Sequence, residues 1–201
     1  MKKSVIIAAC AALLMTGCAN EYNQVYKAAT PSYKYEYAKQ CFAQGKYSRA
    51  IPLLQDVVTM KKGSTEGEEC LYMLAMAEYG LKDYETASEY FKKYYSSYPK
   101  GLYAENAKYF VGESLYQNAP EPRLDQSTTY TAISAFQEYL DLFPDARFKA
   151  QATQRLYSLQ DLLVEKEYKS ASLYFGMGTY FGNCTEGGNN YEACIVTAQN
   201  A

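Results

Sequence analysis

The chain has 201 residues, with 20 Lys and Arg against 22 Asp and Glu, no histidine, no tryptophan and 23 tyrosines. Without histidine, the commonest general base and the commonest zinc ligand are both missing, which argues against triad chemistry and most metal sites. A near-neutral charge with no basic stripe argues against nucleic acid as a partner, and neither a metal nor a cofactor is expected.

Lys2 and Lys3 precede an apolar run from Val5 to Met15, followed by Thr16-Gly17-Cys18. This is a charged n-region, an h-region and a lipobox, with Met15 where leucine is usual. The run falls short of the roughly 20 apolar residues needed to span a bilayer, so residues 1–17 read as a signal peptide and Cys18 as the lipidated residue. An ordinary secretory signal is the alternative. Residues 18–31 then form a lipidated tether, and 32–201 a helical array.

Gly45-Lys46-Tyr47-Ser48-Arg49-Ala50 and Lys82-Asp83-Tyr84-Glu85-Thr86-Ala87 lie 37 residues apart, each flanked by apolar residues at helical spacing. The pattern resembles the tetratricopeptide repeat, a helix A, a tight turn and an antiparallel helix B. Ala38 is expected to pack on Ala50 and Ala75 on Ala87, with Pro99 ending the second helix B. A third unit places helix A over residues 103–117, with Gly112 at the small position, and helix B over 130–143 before Pro144. Its enlarged loop, around 118–128, carries Pro120 and Pro122. A long helix over 148–177 leads into a fourth unit with Ala171, Tyr174, Gly178 and Tyr180, whose second helix restarts at Tyr191 and breaks off at Ala201. The expected fold is all-α, a solenoid of three complete repeats and a partial fourth that reads as truncated.

Four cysteines follow Cys18. A Cys184–Cys194 bridge would close a short Gly/Asn-rich loop, but the register puts Cys194 at a small buried position and favours a free thiol. Cys41 and Cys70 show no redox or zinc spacing.

The fifth and twelfth positions of each helix A are Tyr35 and Phe42, Tyr72 and Tyr79, Tyr109 and Tyr116, Tyr168 and Phe175. Seven residues apart on a helix means one face, so these aromatics are read as two rows in a peptide-binding groove, with Lys39 and Glu113 as polar guides. The competing reading makes them core between repeats. Tyr94, Tyr95 and Tyr98 read as scattered surface tyrosines, and the remaining carboxylates as solvated faces and caps. Glu113-Ser114 is similar to the Glu-Ser pair of lytic transglycosylases, but no second motif of that family follows, and no catalytic residue is assigned.

The signal, the immediate start of repeats, and the stretch Thr153-Gln154-Arg155-Leu156-Tyr157, Leu159, Asp161, Leu163 and Glu167-Tyr168-Lys169-Ser170-Ala171 resemble the BamD family of outer-membrane lipoproteins. Tyr98-Pro99 and Phe143-Pro144 at the ends of helices B fit as well. The resemblance implies a non-catalytic scaffold at the periplasmic face of the outer membrane, receiving unfolded barrel-protein segments and docking on a BamA-type barrel and its periplasmic domains. The alternatives are another tetratricopeptide envelope lipoprotein, coordinating cell-wall synthesis with constriction, or a SusD-like glycan-binding lipoprotein. The latter family is far longer and stacks sugars on tryptophan, which is absent here.

Overall fold

Thr30, Ser64 and Asp83 start helices in the same way, each side chain accepting a hydrogen bond from the backbone N–H three residues on, at 3.4, 3.1 and 3.1 Å. In the computed structural model, which describes residues 21–27, 29–177, 195–197 and 199, they head α2 (Pro31–Ala43), α4 (Thr65–Gly80) and α5 (Tyr84–Ser97). A short α1 (residues 21–27), α3 (Tyr47–Met60), α6 (Ala104–Gln117), α7 (Ser127–Leu142) and α8 (Lys149–Met177) complete the described helices. The fold class is all-α, with helices in adjacent packed pairs of tetratricopeptide type. The signal, Cys18, Gly178, Tyr180, Cys184, Cys194 and most of the second half of the fourth unit lie outside the described residues.

The chain forms two compact units, Met1–Ala104 and Glu105–Ala201. In the first, Ala38, Ala50, Ala75 and Ala87 are all fully buried, as their register requires for close helix approach. They sit among Leu53, Leu54, Val57, Cys70, Leu74 and Phe91, each at most 1 % exposed. Cys41 and Cys70 are free, buried thiols, and burial pushes the Cys70 thiol up to about 12, which keeps it protonated and inert. Pro99 follows the Tyr98 cap and Pro144 follows the Phe143 cap, so both prolines stop helix B as their position predicts.

Part of the expected tether is folded. Residues 21–27 are helical, and Val25, 4 % exposed, belongs to the core of the first unit. Its burial beside Tyr35 and Leu53 explains the difference, because an isolated valine in a polar stretch carries little periodic signal.

The two A–B turns share a backbone requirement but not a residue. Gly45 has φ +70° and Lys82, 37 residues later at the equivalent position, has φ +65°. Only glycine adopts this left-handed conformation without penalty, and a side chain there costs about 1 kcal/mol. Lys82→Gly is therefore expected to raise stability by up to about 1 kcal/mol despite added chain entropy in the unfolded state. Urea unfolding of the variant checks this, and a loss of stability would contradict it.

In the second unit α7 starts at Ser127, three residues before the expected Tyr130, because Gln126 and Thr129 build a buried start. The Gln126 side chain donates to the Glu121 and Leu124 carbonyls at 2.8 and 3.1 Å and accepts from the Thr129 hydroxyl at 2.7 Å. The loop is correspondingly shorter. Gly112 is required for close packing, since a Cβ there would lie 2.8 Å from the ring of fully buried Phe136.

Candidate functional site

Two of the tyrosines that mark the expected binding face, Tyr72 and Tyr109, pack around a polar node that recurs in the two units. In the first, Glu68 in the opening turn of α4 accepts from the Tyr94 hydroxyl at 2.6 Å and from the Leu102 backbone N–H at 3.0 Å. The Tyr94 oxygen in turn accepts from the Tyr103 N–H at 3.1 Å. Tyr72 lays its ring flat on Tyr103, centroids 4.3 Å apart, and meets Phe91 and Tyr94 edge-on at 5.9 and 5.7 Å. Gly101 must lack a side chain, since a Cβ would fall 2.3 Å from the Glu68 carboxylate.

The second unit repeats the arrangement. Glu105 accepts from the Tyr139 hydroxyl at 3.2 Å and the Arg147 N–H at 2.9 Å, and the Tyr139 oxygen accepts from the Phe148 N–H at 3.3 Å. Tyr109 stacks on Phe148 at 4.4 Å and meets Tyr139 edge-on at 5.6 Å. Each node ties the start of a helix A to the end of its helix B and to the turn that follows. Tyr94 and Tyr139 are fully buried. Burial, against the donated backbone hydrogen bond, pushes the Tyr139 phenol up to about 12; burial and the Glu68 acceptor raise that of Tyr94. Both therefore stay neutral donors.

Tyr94 is thus a buried hub and not a surface residue, which corrects the sequence expectation, and Glu68 and Glu105, read with the remaining carboxylates as solvated faces and caps, are half-buried acceptors for a buried phenol and a backbone N–H. The signal was present: Glu68 and Glu105 are 37 residues apart like Tyr72 and Tyr109, and Tyr94 and Tyr139 are 45 apart like Tyr103 and Phe148, the difference being the longer loop.

The other expected site residues divide. Tyr35 is buried at 9 % exposure; its hydroxyl donates to Glu69, and Lys39 bridges both, 3.1 Å from each. Burial opposes ionisation of Glu69, but the hydrogen bonds from Tyr35 and Lys39 outweigh it and hold the carboxyl below its usual 4.5. A depressed carboxyl contributes stability that is complete above the unfolded value and disappears as pH falls through the lower folded one. Thermal melts of Glu69→Gln should therefore show a shallower stability loss below about pH 4.5 than the parent chain; identical slopes would count against this network.

Phe42 packs on Tyr47 at 5.4 Å and Tyr79 on Tyr84 at 5.3 Å, closing the A–B turns of the first unit while remaining half-exposed. Tyr109 and Glu113 are buried at 6 and 4 % exposure, so these two, with Tyr35, do not offer the exposed surface expected of them. Glu113 is the centre of a second polar cluster. Arg155 of α8 grips it with two hydrogen bonds, at 3.0 and 2.9 Å, and Tyr109 and Gln117 add donors at 3.2 and 2.9 Å. The Arg155 guanidinium also lies 4.2 Å from the centroid of the half-exposed Tyr116 ring. Glu113 is therefore a structural anion. By contrast Tyr168 and Phe175 of α8 are 70 and 64 % exposed, in one stripe with Tyr157 and Val164 at 7-4-7 spacing.

Among the described residues, no group of three or more His, Cys, Asp or Glu is placed to hold a metal ion, and no helix is long and apolar enough to cross a membrane.

The family profile described as "YfiO: Outer membrane lipoprotein" matches residues 27–185. The outer membrane protein assembly factor BamD of Haemophilus influenzae is 26 % identical over 184 residues, covering 86 % of this chain and 69 % of the relative. A profile match over most of the helical array shows the family: the chain belongs to the YfiO family of outer membrane lipoproteins, the BamD-type assembly factors.

Proposed function

We propose that this protein is a non-catalytic scaffold of the outer-membrane β-barrel assembly machinery, lipidated at Cys18, facing the periplasm, and binding both unfolded barrel-protein segments and a BamA-type barrel with its periplasmic domains. The observation that supports it most is the family match over residues 27–185, together with the assembly role in the relative's name.

Within this reading the partner surface is apolar and aromatic. The half-exposed edges of Phe42, Tyr72, Tyr79 and Tyr116, with Lys39 beside them, are proposed to hold peptide, while Tyr35, Tyr109 and Glu113 hold the helices that carry them. The α8 stripe of Tyr157, Val164, Tyr168 and Phe175 is proposed to take a folded partner, because such a row offers stiff contact area with polar tips.

Affinity for a barrel-protein tail peptide tests the first surface. Tyr79→Ala is the informative variant, since truncating Tyr72 also removes the ring stacked on Tyr103. We expect Tyr79→Ala to weaken binding about 5- to 30-fold, the range of a single interfacial contact worth 1 to 2 kcal/mol. Unchanged affinity with intact helicity would remove Tyr79 from the site.

A further inference from the structure

The direction of α1 sets which end of the first unit's helices its amino-terminal end lies beside. Tyr22, near the start of α1, lies 5.9 Å from the guanidinium of Arg49, in the first turn of α3. Tyr26, one turn later, lies 5.6 Å from the ammonium of Lys34, in the first turn of α2. So α1 runs antiparallel to α2, with its beginning beside the α2–α3 turn. Val25, 4 % exposed, pins it there.

The two ends of the unit differ in what they gather. At one end are the A–B turns: Gln44–Lys46, then Gly80, where a Cβ would come 2.4 Å from the Tyr47 ring, then Leu81–Asp83. At the other end Lys61 donates to the Ser32 hydroxyl at 3.3 Å and Gly63 to the Tyr98 hydroxyl at 3.2 Å. Cys18 precedes Glu21 by three residues, a reach of about 10 Å at full extension. Arg49 and Met60 are 11 residues apart on α3, about 16 Å of helix. A lipid on Cys18 can thus bring the A–B turn end to the membrane surface, and not the opposite end while α1 stays docked.

We propose that the lipid headgroup layer covers the A–B turn edge of the first unit, formed by Gln44, Gly45, Lys46, Leu81 and Lys82, with the Lys61–Gly63 end directed away from it. The chemistry of the edge suits this. Leu81, 45 % exposed, is flanked by the exposed cations Lys46 and Lys82, an apolar tip among groups that pair with lipid phosphates. Asp83 directs its carboxylate to the Thr86 N–H, capping α5. The inference rests on lipidation at Cys18, part of the reading above.

The absence of tryptophan supplies the test, because each of Gln44→Trp, Leu81→Trp and Lys62→Trp introduces a single reporter. The full lipidated chain is reconstituted in phosphatidylethanolamine–phosphatidylglycerol vesicles containing a headgroup-nitroxide lipid, and flotation is measured alongside fluorescence. We expect quenching about threefold stronger at positions 44 and 81 than at 62, given about 20 Å of helix between the two ends. Flotation with equal quenching, or with position 62 quenched most, overturns the orientation alone. A chain that does not float, or floats equally well as Cys18→Ser, overturns the lipidation reading and this inference with it.

Discussion

Arg155→Ala is expected to lower the stability of the second unit by about 3 kcal/mol, the typical consequence of leaving one member of a buried ion pair without its partner. Glu113 has a side chain 6 % exposed, and Arg155, 33 % exposed, supplies two of its four side-chain donors. The truncation leaves Tyr109 and Gln117 to hold an anion that water reaches poorly, and uncovers the Tyr116 ring. Alanine at 155 keeps helix propensity, so the loss is electrostatic and packing in origin. The double variant Glu113→Leu with Arg155→Met should recover most of it, since well-packed apolar replacements of a buried pair are commonly neutral or stabilising. Urea unfolding followed by circular dichroism reads both variants. A loss under 1 kcal/mol for Arg155→Ala would mean that solvent already screens the pair.

Glu68→Ala should cost the first unit about 2 to 3 kcal/mol, because the fully buried Tyr94 hydroxyl and the Leu102 N–H lose a shared acceptor together. Glu105→Ala removes the corresponding acceptor from Tyr139 and Arg147 in the second unit and should cost a similar amount. The longer Tyr139–Glu105 contact, 3.2 against 2.6 Å, places the second value below the first. Hydrogen exchange at Tyr103 and Phe148, whose N–H groups donate to the two phenols, should rise in the corresponding variant and not in the other. Exchange rates that do not respond would show the node to be a geometric coincidence of the repeat.

These nodes show what was legible in the sequence and what was not. The 37-residue period, the buried alanines and the proline stops are properties of chain direction and side-chain volume, which a linear sequence displays openly, so the all-α class and the helix bounds followed closely. The fate of Tyr72, Tyr94 and Tyr109 depended on residues distant in sequence. Tyr72 and Tyr109 occupy a face that repeats of this type can present to ligand, and the rings of Tyr103 and Phe148, 31 and 39 residues later, stack on them and draw them into packing. Glu113 reads as a polar guide until Arg155 arrives from α8, 42 residues away. Val25 in a polar segment could not announce a docked helix. The α8 positions Tyr168 and Phe175, by contrast, are exposed, as a reading from helical spacing alone expects.

The proposed function implies a division of labour among aromatics. The fully buried tyrosines fix each helix pair and its following turn, a rigidity that would lower the entropic cost of binding at the proposed surfaces. The half-exposed aromatics and the α8 stripe are the candidates for contact, and the α1 orientation bears on how the first unit approaches the membrane.

The most direct test of the scaffold reading is purification of the lipidated full-length chain from outer membranes, with detection of a BamA-type barrel and parallel exposure to immobilised envelope glycans. The account predicts stable co-purification of the barrel, weakened by Tyr168→Ser with Phe175→Ser at unchanged helicity. Retention on glycan with no barrel protein recovered would contradict it.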